Sequence, residues 1–122
     1  MILFDAVDRS LTVDASAIPA NVKVVYHLRR HVAAGSRESF GNCGTKHGNK
    51  TAYLQNFFLC THGGVGGTPW CAAPGWRGKM GDIIDEGGLD GKTRVTYQQD
   101  LVGSNAVWGT IEPHLKKRGI IV

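Results

Sequence analysis

Residues 21–30 read NVKVVYHLRR, and the expected fold turns on them. Val22, Val24, Tyr26 and Leu28 fall on one side of an extended chain, with Lys23, Val25, His27 and Arg29 on the other. That two-residue period is the signature of a strand with one face in the core. Downstream, residues 52–60 (AYLQNFFLC) are the most hydrophobic stretch, and the adjacent Phe57 and Phe58 predict a strand covered on both faces. Upstream, residues 2–7 are apolar enough for a strand, residues 8–10 supply a turn, and Pro19 and Asn21 mark a loop. Between DIIDE and KTRVTYQ, the pair Asp90-Gly91 suits the positive φ values of a tight hairpin, with Val95 and Tyr97 facing inward. Pro113 fits a first helical position, Lys116, Lys117 and Arg118 a last turn, and Gly119 a left-handed terminator. Residues 120–122 could then add a strand. The expectation is a mainly β fold in a single domain spanning 1–122. Its body is a small antiparallel sheet or barrel with one short C-terminal helix.

The composition narrows the class. A chain of 122 residues with 42% hydrophobic content can fold as one domain and is not a disordered segment. Its 17 glycines follow no three-residue period, which excludes collagen. No apolar run approaches the ~20 residues of a membrane span. The opening MILFDAVDRS carries Asp5 and Asp8 where a secretory signal has a basic flank, so a cytoplasmic origin is expected. Three cysteines cannot complete an intrachain disulfide framework, and reduced thiols are the default.

The net charge of +4 is unevenly spread. Residues 23–50 hold Lys23, Arg29, Arg30, Arg37, Lys46 and Lys50 against Glu38 alone, whereas residues 81–100 are acidic. A basic segment of this kind could meet nucleic-acid phosphate without reading sequence. It could equally match an acidic segment on a neighbouring subunit.

Three constellations could carry chemistry. Cys43, His47, Cys60, His62 and Cys71 lie within 29 residues and supply the thiol and imidazole ligands zinc accepts tetrahedrally, although no C-x2-C or H-x3-5-H spacing occurs. The segment TPWCAA at 68–73 resembles that around the catalytic cysteine of CHAP-type peptidoglycan amidases and peptidases. The resemblance covers six residues and implies a nucleophilic Cys71 at the start of an apolar helix, with His114 as the base. The continuation PGWRG at 74–78 is not a helix-forming sequence. Third, the GGVGG run at 63–67 could offer backbone N–H groups to an anion, but it lacks the Gly-Lys-Ser/Thr ending of a phosphate loop. Asp82, Asp85 and Glu86 fit solvated residues beside a turn better than an acid–base pair.

Two long irregular stretches, 34–50 and 61–81, weigh most on function. The second holds seven glycines and two prolines, too many for any regular element. Fixing such backbone costs roughly 1–2 kcal/mol per residue, which contacts with neighbouring molecules would offset. The favoured expectation is therefore a non-enzymatic subunit of a larger homo- or hetero-oligomer. A virion component of a virus or bacteriophage, of decoration, connector or tail type, is the kind envisaged. Trp70, Trp76, Arg29, Arg30 and Arg37 are the candidate partner-binding residues. A small Cys/His hydrolase or zinc module, and a basic nucleic-acid-binding module, are the alternatives.

Overall fold

The computed structural model describes residues 1–8, 12, 14–37, 41–69 and 93–122. Its centre is a three-stranded sheet of β1 (Ile2–Phe4), β3 (Val24–Arg30) and β5 (Ala52–Phe58), in the order β1-β3-β5. Both pairings are parallel, with Ile2 opposite Tyr26, and Val24 opposite Ala52. The antiparallel sheet or barrel expected from sequence is thus replaced by an open parallel sheet. Period-2 alternation reports which face is buried and says nothing about the direction of the neighbouring strand. The direction is set by the connections. About twenty residues separate each pair of consecutive sheet strands, enough for the chain to return to the same end before pairing again. The only antiparallel ladder among the described residues is the short pair β2 (Val7–Asp8) with β4 (Gly41–Asn42).

Strand β3 is central and covered on both sides. Leu28 lies in a core cluster with Cys60, Val65, Val107, Ile111 and Leu115, and Tyr26 packs against its edge. On the opposite face Val25 and His27 are fully buried. The expected half-buried strand is therefore an interior one. The reverse correction applies to β5, which is an edge strand with Leu54 and Phe57 exposed.

The larger departure is at the C-terminal end of the chain. Instead of a strand followed by a short helix, residues Tyr97–Lys117 form one helix of 21 residues, α2. Thr96 and Gln99 close a reciprocal capping box at its start, satisfying two donors that the first turn leaves open. Its buried stripe runs Asp100, Gly103, Ser104, Val107, Ile111 and Leu115, at helical spacing. Half of that stripe is small or polar, which hid it from a search for apolar periodicity. Pro113 lies inside the helix and removes one hydrogen bond to the carbonyl of Gly109. Gly119 does terminate the helix at φ 65°, with Ile120 N–H donating to Leu115 O at 3.0 Å. Residues 120–122 form no strand.

The polar stretch 34–50 also behaves differently from expectation. Cys43 N–H donates to Ala6 O, Gly44 to Ala15 O, and both Thr45 and Lys46 to Ser16 O. Residues 41–46 are held on the chain's own body, so the entropic argument for a partner does not apply there. In the second stretch, Thr61 caps a single helical turn, α1 (His62–Val65). The Asp90-Gly91 hairpin lies outside the described residues, as do Trp70, Cys71, Trp76 and the acids at 82–86. No described helix is long and apolar enough to cross a membrane.

Candidate functional site

The carboxyl ends of the three parallel strands converge on Asp5. In open parallel sheets this is the edge where ligands bind, because the strand-end loops there share one side. Asp5 directly follows β1, has φ 47° and is 1% exposed. Positive φ in a residue other than glycine costs energy, although aspartate tolerates it better than most. Three groups repay that cost. Arg30, at the end of β3, donates its backbone N–H to Asp5 Oδ1 at 3.1 Å and its Nη1 to Oδ2 at 2.5 Å. His62, beyond β5, donates Nδ1–H to Oδ2 at 2.8 Å. Burial alone would push the Asp5 carboxyl up, but His62 and Arg30 together outweigh it and hold the group below its ordinary value of 3.8. The carboxylate is therefore ionised at neutral pH and can only accept. It thus accepts from a proton on Nδ1 of His62, and Nε2 is the ring nitrogen left outside this bond.

The surrounding residues fix this pair. The Arg30 Nε donates to Ser36 O, and Nη2 donates to Arg37 O at 2.7 Å. His62 N–H donates to Ser36 Oγ at 2.9 Å. One residue earlier, Thr61 donates its N–H to Asp100 Oδ1 at 2.5 Å and its hydroxyl to Oδ2 at 2.9 Å. A Cβ on Gly64 would lie 2.4 Å from Asp100 Oδ1, so glycine is required for this approach of α1 to α2. Of Asp5, Arg30, Ser36, Thr61, Asp100 and His62, only His62 reaches solvent appreciably, with its side chain 30% exposed. Its Nε2 has no hydrogen-bond partner among the described residues. The arrangement is a histidine oriented by a buried carboxylate, able to take a proton at Nε2 and give it back.

The sequence-derived candidates are dispersed. Cys60 is fully buried under α2, and burial pushes its thiol up to about 12, with Asp100 and Asp5 adding to the effect. At that value it is neither a ready nucleophile nor a thiolate ligand. Cys43 is partly exposed beside Ala6, and His47 stacks on Tyr53 with ring centroids 4.6 Å apart. Among the described residues no three His, Cys, Asp or Glu side chains gather as a metal site. His114 lies at the other end of the sheet, its ring tilted 38° against Tyr26 with centroids 4.5 Å apart.

The basic segment is spread as well. Arg30 is turned inward, Arg29 bonds Gln55 and covers the Phe57 ring at 5.1 Å, and Lys46 pairs loosely with Asp14 at 3.6 Å. Arg37, at φ 50°, contributes its carbonyl to Arg30. Of the site, only His62 and Arg30 had been singled out from sequence, each for another role. The available signal for Asp5 was a lone acid directly after an apolar strand.

No family model, curated protein or solved structure matches this chain. The six-residue likeness at 68–73 therefore extends to no wider similarity, and a functional reading rests on the site geometry.

Proposed function

We propose that this chain is a small α/β domain performing acid–base chemistry at the carboxyl edge of its sheet, on a polar substrate reached from solvent. His62 exchanges the proton through Nε2, and Asp5 orients the ring and stabilises the imidazolium that forms. Arg30 keeps Asp5 ionised and does not contact substrate. The observation that carries the reading is the 2.8 Å bond between the His62 ring and a carboxylate that is otherwise sealed from water. Hydrolysis, with His62 activating a water molecule, is the simplest reaction such a pair supports, and it needs no thiol.

The experiment is a screen of chromogenic esters, amides, phosphoesters and glycosides against the wild-type chain and His62→Gln. Glutamine can keep a hydrogen bond to Asp5 but cannot exchange a proton. A rate falling by about 10²–10⁴ in the variant supports the reading. Equal rates on every substrate turned over, or no turnover by the wild type, refute it. Tautomer-sensitive nitrogen shifts of His62 give an independent readout, with Nδ1 protonated and Nε2 bare.

One observation favours a second reading, that of an assembly subunit. Strand β5 has no partner on its outer edge among the described residues, and residues 51–60 contain no charge. Lysines, prolines and bulges are the usual protection of such an edge. Leu54, Phe57 and Leu59 are each nearly half exposed along it. This reading predicts a stable oligomer by light scattering that Leu54→Lys dissociates, and a strictly monomeric wild type refutes it.

A further inference from the structure

The amino edge of the sheet, opposite His62, holds a concavity of about 350 Å³. Its floor is aromatic. The Tyr26 ring carries His114 on one side at 4.5 Å, and the Arg118 guanidinium lies 5.8 Å from the Tyr26 centroid. Ile2, Val22, Val24 and Leu115 supply apolar wall, and Lys23 and Arg118 stand at the rim. No acidic residue lines it, and neither cation has a carboxylate partner among the described residues. Glu112, the only acid in residues 101–122, is engaged by Lys116 at 2.9 Å.

The plainest account of Arg118 is that it complements the negative carboxyl end of α2, as Lys116 and Lys117 do. That account does not reach Lys23, which belongs to the approach to β3. Nor does it explain why a partly apolar pocket is bordered by cations without an acid between them. We propose that this pocket binds a flat ring bearing one anionic group, a phosphate or a carboxylate. The ring packs against Tyr26 and His114, and Arg118 and Lys23 hold the anion. The volume is near the lower limit for small-molecule pockets, which suits a single ring system. This inference is independent of the acid–base reading, since the two sites share no residue.

The test uses the full ¹⁵N-labelled chain titrated with phenyl phosphate, with benzoate and with inorganic phosphate alone. Saturable amide shifts confined to residues 22–26 and 114–120 with one or both aromatic anions are expected, and the two arms identify the preferred anion. Affinity should fall with salt, and by about tenfold in a Lys23→Gln/Arg118→Gln variant whose amide spectrum shows it folded at the titration temperature. Three outcomes overturn the proposal: no saturable shift with either ring, inorganic phosphate binding as well as the aromatic anions, or an affinity indifferent to the double substitution.

Discussion

Replacing Asp5 with asparagine separates charge from backbone at the centre of the site. Asparagine tolerates φ 47° about as well as aspartate, so the conformational cost is nearly the same in both proteins. What changes is the counter-charge of Arg30, whose side chain is 10% exposed. An amide set in the carboxylate position also meets trouble at Oδ2, where Arg30 Nη1 and His62 Nδ1 both donate. With the amide oxygen at that position the Arg30 backbone N–H loses its acceptor, and with the amide nitrogen there both side-chain donors do. Leaving a buried cation unpaired costs about 3–5 kcal/mol, a large part of the stability of a domain this size. Thermal unfolding by circular dichroism should therefore move down by about 10–20 °C. The double variant with Arg30→Met should cost less than the two single changes combined, because no uncompensated charge remains. A loss below about 1 kcal/mol for Asp5→Asn would refute the view that the pair is buried and interdependent.

Other outcomes follow from the same structure. Two titrating groups make the fold acid-sensitive. His27 is held below 6.5 by burial and by the nearby Arg29, and Asp5 is held below 3.8. Both are depressed in the folded state, so each contributes stability above its unfolded value that is lost as pH falls through its folded one. Denaturation midpoints should decline from about pH 6.5 downward, and His27→Gln should flatten the upper part of that decline. Cys60 should resist iodoacetamide in the native protein at pH 8, where about one thiol in ten thousand is ionised, and react once unfolded; peptide mass spectrometry reads this directly. Two glycines of α2 should respond in opposite senses to alanine. At Gly103 the added Cβ would meet Cys60 Cβ at 2.6 Å and the Leu59 carbonyl at 2.8 Å, costing about 1–3 kcal/mol. At Gly109 nothing lies within 4 Å, and alanine should stabilise by up to about 1 kcal/mol. Thr96→Ala should lower stability by about 1 kcal/mol through loss of the capping box, measured by chemical denaturation.

The strands at 24–30 and 52–58 were legible from the alternation of the first and the apolar, aromatic content of the second. Their direction was not, yet the long connections on either side of β3 held the clue: hairpins use short turns, parallel pairs need long returns. The helix over 97–117 was obscured by its own packing. Gly103 lets α2 lie against Cys60, and Asp100 reaches Thr61, so half of the inward positions are not the apolar ones a helical stripe is sought by. The Thr96–Gln99 box that opens the helix overlaps the run of Val95 and Tyr97, whose spacing reads as a strand. The site was largely illegible because its members lie 57 residues apart, at Asp5 and His62, and meet only through the sheet register. Histidine and cysteine spacing pointed instead to metal, since local spacing is the only geometry a bare sequence displays.

The all-parallel sheet also dictates how the chain must acquire its shape. Each strand pairs with one 24 or 28 positions away, so no hairpin can nucleate the body. Large loops must close before any ladder bond forms, and the entropy they lose precedes the contacts that offset it, whereas a helix grows through local contacts alone. Folding should begin at the capped helix 97–117, which is synthesised after all three strands, with the sheet assembling on it. A nascent chain leaving the ribosome would thus hold its strands unpaired until that helix emerged.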